Sequence, residues 1–324
     1  MKKFSLYNIF TPKSITKDDE FAEIPTNFKG FFVMYGRKFW NLSNLNLLYA
    51  LCNLPFFFLL FAVAGFLNDS VTVPASPMFA SFFGFQSAGS DAVNQIFPFI
   101  SGFTTTSVAS VGTYICFGIS ALLIFTFGLS NAGAAYCIRG YTRGEPIFLM
   151  SEFFSCIRRN FLQALIIGIL DLCFSALLVF DYLFWSGQPG FINAIFTYFS
   201  LFLCVLYFFM RFYIYTIAIT FDLSIFKIFK DAFLLSFLGF KRNVVALIGI
   251  ILVVALNLQI FFLVPSLGIM LPVIITIATL MFISGYASYP VIKKYMIDPF
   301  YPDSDESNSD EDGEEDEPVF EDRG

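Results

Sequence analysis

Six apolar stretches, each long enough to cross a lipid bilayer, alternate with shorter polar segments along the chain. A transmembrane helix needs about 20 consecutive apolar residues. The stretches cover 42–66, 113–138, 160–184, 192–214, 244–264 and 267–291. Only short turns separate the third stretch from the fourth and the fifth from the sixth. The pattern therefore predicts an all-α polytopic membrane protein with six transmembrane helices arranged as three hairpins.

The polar segments between and beyond these stretches divide the chain into three parts. Residues 1–38 are predicted to form a cytoplasmic N-terminal segment with an interfacial helix, and residues 39–298 a six-helix transmembrane domain. Within this domain, 68–111 form an external loop that is longer than ordinary connections. The loop either caps the outer face, dips into it, or decorates it without a binding role. Residues 299–324 are predicted to be a disordered acidic cytoplasmic tail.

Composition supports the membrane assignment and excludes one kind of chemistry. Hydrophobic residues make up 57% of the 324 residues, and charged residues only 14%. Soluble domains carry about 25% charged residues on average. Histidine is absent, so the chain has no imidazole base, histidine metal ligand or histidine pH switch.

The net charge of −6 conceals two opposite regions. Residues 303–324 contain twelve of the 25 acidic residues, separated mainly by Ser, Asn and Gly, a composition that cannot collapse in water. The rest of the chain has 18 basic and 13 acidic residues. An apolar Val319-Phe320 pair near the end of the tail suits either a docking peptide or, more simply, a solvated tail.

The basic residues indicate the orientation of the predicted helices. Of the 19 Lys and Arg residues, 18 lie before the first apolar stretch, between the second and third, between the fourth and fifth, or after the sixth. The exception is Arg211, inside the fourth stretch. Because cytoplasmic loops of membrane proteins carry an excess of Lys and Arg, both termini are predicted to be cytoplasmic.

Amphipathic cytoplasmic stretches precede the first, third and fifth apolar stretches. In the first of them, aromatic residues recur at spacings of three and four, on one face of a helix: Phe28, Phe31, Phe32, Tyr35 and Phe39. Helices of this kind are typical of the inner membrane interface. Basic pairs followed by Asn begin the third and fifth stretches, at 158–160 and 241–243. A threefold repeat explains this pattern, and so does the positive-inside bias alone.

Two charged residues fall within predicted membrane spans. Asp171 lies about eleven residues into the third span, where a charged carboxylate costs roughly 2.5–3.5 kcal/mol on insertion scales. It should therefore be neutral or partnered, and Arg211 in the adjacent span is the candidate partner. Asp171 and Arg211 form a candidate intramembrane polar pair, which is structural or, alternatively, handles protons or substrate.

Known catalytic and cofactor motifs are absent from the sequence. The six cysteines include no CxxC spacing, which argues against a zinc site or a disulfide framework. No P-loop, dinucleotide-binding fingerprint, HExxH or nucleophile elbow is present. We therefore predict no catalytic residues, no cofactor, no metal and no nucleic-acid partner, and we expect that the chain is not an enzyme.

Several ordered motifs resemble one family of membrane proteins. They are Gly128–Gly133, Arg143–Leu149, Ser151–Phe154, Arg37–Trp40, Asn46–Tyr49 with Pro55, Phe221–Ser224 and Lys241–Asn243. In these motifs the chain resembles the YesL-like family of bacterial integral membrane proteins, a domain-of-unknown-function family. The chain has Leu129 where many members have Pro after the Gly, which puts a helix break there in doubt.

The resemblance implies a location and a context. It implies a multi-pass protein of the bacterial plasma membrane, in an organism of Gram-positive type. It also implies a non-catalytic accessory role in carbohydrate (oligosaccharide) ABC transport, with the lipid bilayer and an ABC permease or solute-binding protein as partners. The alternative is a small-solute transporter or channel that uses the polar residues around Asp171 and Arg211. The oligomeric state is left open.

Overall fold

The computed structural model describes residues 28–74 and 103–299, and this part of the chain is almost entirely helical. It thereby confirms the all-α fold class. The predictions for the acidic tail, for most of the N-terminal segment and for the centre of the 68–111 loop lie outside the described residues.

Eleven helices and one pair of strands follow each other in the described segments. They are α1 (Phe28–Cys52), α2 (Leu54–Ala64), β1 (Asp69–Pro74), β2 (Phe103–Val108), α3 (Val111–Ser120), α4 (Leu123–Thr142), α5 (Leu149–Arg159), α6 (Phe161–Ser186), α7 (Phe191–Thr220), α8 (Ile225–Leu238), α9 (Phe240–Leu263), α10 (Pro265–Leu271) and α11 (Ile277–Ile292). A π-helical segment, Pro272–Thr276, joins α10 to α11, and a second, Lys293–Ile297, follows α11.

Four helical stretches in the described part are long and apolar enough to cross a membrane: α6, α7, α9 and the stretch from Pro265 to Ile297. Two bent pairs add up to two more candidate spans. The α1–α2 pair is bent by 63° and the α3–α4 pair by 43°. Several apolar helices of this length indicate a membrane protein.

The first predicted span differs from the structure in where it breaks. We expected an interfacial helix before residue 39 and a continuous span over 42–66, whereas α1 runs unbroken from Phe28 to Cys52. The chain bends instead at Asn53, and Pro55 lies in the first turn of α2. Proline has no backbone N–H, so it cannot continue the hydrogen-bond ladder of a preceding helix. The break thus lies within the apolar stretch.

Two further features concern the segment around the predicted external loop. The strands β1 and β2 pair in antiparallel register, from Asp69 opposite Val108 to Pro74 opposite Phe103. This ribbon is an addition to the all-α prediction.

The second apolar stretch bends at 121–122, between α3 and α4. Helix α4 then continues without a break through Gly128 and Leu129.

Helix α4 lies at the centre of the bundle and packs against α1, α5, α6, α7 and α11. Its closest approach is to α6, where Gly128 and Gly168 face each other. A Cβ atom on either glycine would overlap the backbone of the other helix. One turn further along, the ring of Phe153 from α5 lies against Gly133. Small residues in α4 therefore allow its neighbours to approach closely, as in many membrane helix pairs.

Short helices precede two of the long ones, and an asparagine joins each pair. Asn160 lies between α5 and α6, and its Nδ2 donates to the carbonyl of Cys156, 3.2 Å away. Asn243, in the first turn of α9, donates to the carbonyl of Ser236 in α8 at 3.0 Å. A short helix followed by a long helix thus occurs twice, in α5–α6 and in α8–α9. The first unit of the predicted threefold repeat lacks this order, because α1 is continuous.

Candidate functional site

Asp171 is the centre of the most extensive polar cluster among the described residues. Its side chain is fully buried (0% exposed) in the middle of α6. The Nε atom of Arg211 lies 3.1 Å from Oδ1 of Asp171. Two tyrosines of α7 complete the cluster: Oη of Tyr207 donates to Oδ1 at 2.9 Å, and Oη of Tyr215 donates to Oδ2 at 2.8 Å. Both carboxylate oxygens therefore accept strong hydrogen bonds.

The position of Arg211 along α7 explains why this pair can form. From the predicted end of the fourth apolar stretch, at residue 214, Arg211 was expected nearer the cytoplasmic side than Asp171. Helix α7 instead continues to Thr220. At 1.5 Å per residue, Arg211 lies about 14 Å from that end, and Asp171 lies about 15 Å from the start of α6. The structure therefore brings the two predicted site residues together at the same level.

Tyr207 and Tyr215 complete the cluster around Asp171, and the sequence pattern did not predict them. With Arg211 they occupy positions i, i+4 and i+8 of α7, and residues with this spacing share one helix face. A Tyr-x₃-Arg-x₃-Tyr spacing in an otherwise apolar helix is the sequence signal that could have identified them. A fourth contact comes from α6 itself, where Ser175 donates to Asp171 at 3.4 Å.

Arg211 has a second side, which faces a cleft. Its side chain is 34% exposed, whereas that of Asp171 is completely enclosed. The cleft has a volume of about 210 Å³ and lies between α4, α7, α9 and α11. Beside Arg211 it is lined by Asn131, Thr216 and Ser284, together with apolar side chains. The guanidinium also lies 5.6 Å from the centre of the Phe127 ring.

Asn131 connects this cleft to α1. Oη of Tyr49 donates to Oδ1 of Asn131 at 3.1 Å. The Nδ2 atom of Asn131 is buried and has no hydrogen-bond partner within the described segments. An unpaired buried amide donor costs about 1–3 kcal/mol in proteins. The cleft therefore contains a polar group whose hydrogen-bonding capacity is incompletely used.

Asn46, in the first apolar stretch, forms a second polar site. Its side chain is fully buried in α1. Nδ2 donates to the carbonyls of Pro272 and Val273 at 2.8 and 2.6 Å, and Oδ1 accepts from the backbone N–H of Ala278 at 2.6 Å. Asn46 thus satisfies backbone groups at the π-helical segment before α11. The sequence signal for an irregular helix at this point was Pro272, which lies inside the sixth apolar stretch.

The other polar residues in the spans make local or packing contacts. Asp181 accepts from Nε1 of Trp185 at 3.0 Å and from Oγ of Ser200, which links α6 to α7 near their shared turn. Gln163 donates to the carbonyl of Leu223, and Asn257 donates to Thr276. The Ser200 bond joins α6 to α7 and the Asn257 bond joins α9 to the π-helical segment, whereas the Trp185 bond lies within α6.

Cysteine and metal chemistry receives no support from the described geometry. All six cysteines are free thiols. Cys156 of α5 is buried in the protein interior. Burial raises the pKa of its thiol, so the reactive thiolate is disfavoured at neutral pH. Within residues 28–74 and 103–299, no group of three or more Cys, Asp or Glu side chains is arranged to hold a metal ion.

Comparison with known protein families matches part of the chain. A family described as "Protein of unknown function, DUF624" matches residues 108–182. Neither the curated proteins nor the solved structures contain a match. The matched region extends from the end of β2 through most of α6, so it includes Asp171 but not Arg211. The chain therefore contains a DUF624 domain, and the ion pair joins this domain to α7 outside it.

Proposed function

We propose that this chain is a non-catalytic, multi-pass protein of the bacterial plasma membrane that assists carbohydrate (oligosaccharide) ABC transport. The observation that carries the non-catalytic part is the enclosure of Asp171. Its carboxylate is fully buried and accepts hydrogen bonds from Tyr207, Tyr215, Ser175 and Arg211. A carboxylate so enclosed is poorly placed to exchange protons with a substrate. Its contacts hold α6 and α7 together.

The transport context is supported by the YesL-like resemblance of the ordered motifs described above. In this proposal both termini are cytoplasmic, and the six apolar stretches cross the membrane as three hairpins. The positive-inside distribution of the basic residues supports this orientation. The cytoplasmic short helices and the acidic tail are the surfaces available to an ABC permease. The solute-binding protein is the alternative partner, on the outer face.

Co-purification tests the proposal directly. The tagged full-length chain, expressed at its native level in the bacterial host, is crosslinked in the membrane and purified, and its partners are identified by mass spectrometry. An unrelated six-helix protein with the same tag serves as the control. We expect enrichment of an ABC permease or solute-binding protein. Purification of the chain alone, under conditions that retain other membrane complexes, would contradict the proposal.

A second candidate function is a small-solute transporter or channel, and one observation favours it. The exposed part of Arg211 lines the cleft between α4, α7, α9 and α11. Ionisable residues inside membranes commonly mark solute or ion pathways. Flux into proteoliposomes distinguishes this candidate, with Arg211→Gln as the test variant and Asp181→Asn as the control outside the cleft. Absent flux, or flux unchanged by Arg211→Gln, would exclude a pathway through Arg211.

A further inference from the structure

The polar groups around the cleft offer hydrogen-bond donors in excess. A guanidinium carries five N–H donors, and Arg211 uses only Nε to bind Asp171. Its two terminal nitrogens make no hydrogen bond to any residue that the structure describes. Nδ2 of Asn131 is likewise without a partner in the described segments, and this side chain is only 7% exposed. Asn131 of α4 and Arg211 of α7 line the same cavity.

The carboxylate and the amide oxygen nearest to Arg211 are already engaged. Asp171 lies behind Arg211 and is completely enclosed, and no Asp or Glu is among the described residues that line the cleft. Oδ1 of Asn131 accepts from Tyr49. The carboxylate of Asp171 is enclosed by the tyrosines and Ser175, whereas the guanidinium of Arg211 lines the cavity. The charge that faces the cavity is therefore positive. The cleft is thus electropositive, although the ion pair as a whole is neutral.

The walls of the cleft limit the size of its occupant. Its volume of about 210 Å³ is several times the roughly 30 Å³ that one water occupies in the liquid. The remaining lining is largely apolar and includes Phe208, Leu280 and Met281. A small group with one charged, oxygen-rich end and an apolar remainder matches this lining, because an arginine fork binds carboxylates and phosphates through two parallel hydrogen bonds.

We propose that the cleft binds a singly charged oxyanion, either a carboxylate or a phosphodiester, held by the terminal nitrogens of Arg211 and by Nδ2 of Asn131. This proposal rests on the second candidate function, a transporter or channel whose site is the cleft at Arg211, and it adds the chemical class of the ligand. The same chemistry can be supplied by a free small anion or by the phosphate of a membrane lipid. Asp171 is a positioning residue in this account, since it orients Arg211 without touching the ligand.

Titration calorimetry of the detergent-purified full chain provides the test. The probes are sodium acetate and sodium dimethyl phosphate at fixed ionic strength, with glucose as a neutral comparison. Native mass spectrometry of the same preparation reports retained phospholipid. We expect saturable binding of at least one anionic probe or a retained phospholipid, and no binding of glucose. If neither anion binds more tightly than glucose and no phospholipid is retained, the proposal is overturned.

Matched variants locate the binding. Arg211→Gln should weaken anion binding or lipid retention at least tenfold, and Arg211→Lys less, because lysine keeps the charge but loses the fork. Asn131→Leu removes the second donor without disturbing the ion pair, and should weaken binding several-fold. Arg242→Gln, an exposed arginine outside the cleft, is the control. If Arg211→Gln does not fold, Asn131→Leu decides, and unchanged binding in that variant would overturn the assignment.

Binding and transport can fail separately. Calorimetry and native mass spectrometry measure occupancy of the cleft, whereas proteoliposome flux measures movement of the solute across the bilayer. Anion binding without flux would support the site and exclude the transporter candidate. Flux of a neutral solute, without anion binding, would exclude the oxyanion site and leave that candidate intact.

Discussion

Nε of Arg211 lies 3.1 Å from Oδ1 of Asp171, although 40 positions separate the two residues in the chain. The contact joins the middle of α6 to the C-terminal half of α7. Burying two charges is costly, and their attraction offsets this cost only when geometry and additional hydrogen bonds are favourable. Tyr207 and Tyr215 supply those additional bonds. The cluster therefore has the composition expected of a stable intramembrane ion pair.

Removing the carboxylate should destabilise the protein strongly. Asp171→Ala leaves Arg211 and two tyrosine hydroxyls without their acceptor, and breaking a buried pair typically costs about 3–5 kcal/mol. Tyr215→Phe removes one hydrogen bond and should cost about 1 kcal/mol. Both effects are measurable as a lower thermal midpoint in detergent. Tyr198→Phe, an exposed tyrosine of the same helix, is the control. A midpoint unchanged by Asp171→Ala would show that the ion pair does not hold the bundle together.

Adding a methyl group at the crossing of α4 and α6 should separate the two helices. Gly168→Ala places a Cβ against the backbone of Gly128, and overpacking of this kind costs about 1–3 kcal/mol. Gly118→Ala is the matched control, because open space surrounds that position. The thermal midpoint should fall for Gly168→Ala and stay the same or rise for Gly118→Ala. Equal midpoints would contradict the close approach.

Replacing Asn46 should loosen the contact between α1 and the π-helical segment. Asn46→Leu removes three hydrogen bonds to Pro272, Val273 and Ala278, and each unsatisfied buried group costs about 1–3 kcal/mol. Hydrogen exchange at the N–H of Ala278 should accelerate, because that donor loses its acceptor. Asn257→Leu, which affects one side-chain bond to Thr276, should leave the exchange of Ala278 unchanged. Unaltered exchange in Asn46→Leu would contradict this role.

The hydrophobic pattern was sufficient for some elements and not for others. It located α6, α9 and the start of α7 well, because long apolar runs in a bilayer have to be helical. The bend at Asn53 and the π-helical segment at Pro272 were missed, since both lie inside runs that remain apolar throughout. The β1–β2 ribbon was missed because it pairs segments about 30 residues apart along the chain, and local periodicity does not report such contacts.

The candidate site was likewise predictable only in part. An acid and a base in adjacent apolar stretches were enough to nominate Asp171 and Arg211 as a pair. Their equal depth depended on the true end of α7 at Thr220, which the apolar pattern underestimated. The tyrosines and the cleft depended on how α4, α7, α9 and α11 pack together. Packing of this kind arises from long-range contacts that one sequence does not specify locally.

Cysteine labelling tests the proposed orientation. In a background without the six native cysteines, Ser304→Cys marks the tail and Ser186→Cys marks the end of α6. An impermeant maleimide should label residue 186 in intact cells, and residue 304 only after the membrane is permeabilised. This outcome follows from the positive-inside distribution of Lys and Arg. Labelling of residue 304 in intact cells would place the tail outside and reverse the orientation.

Oligosaccharide uptake by cells tests the proposed accessory role most directly. Radiolabelled oligosaccharide is supplied to host cells with and without this chain, and with and without the proposed partner permease. The account predicts that loss of the chain lowers uptake, that re-expression restores it, and that the chain supports no uptake when the permease is missing. Uptake that does not change when the chain is removed, or that the chain supports without the permease, would contradict the account.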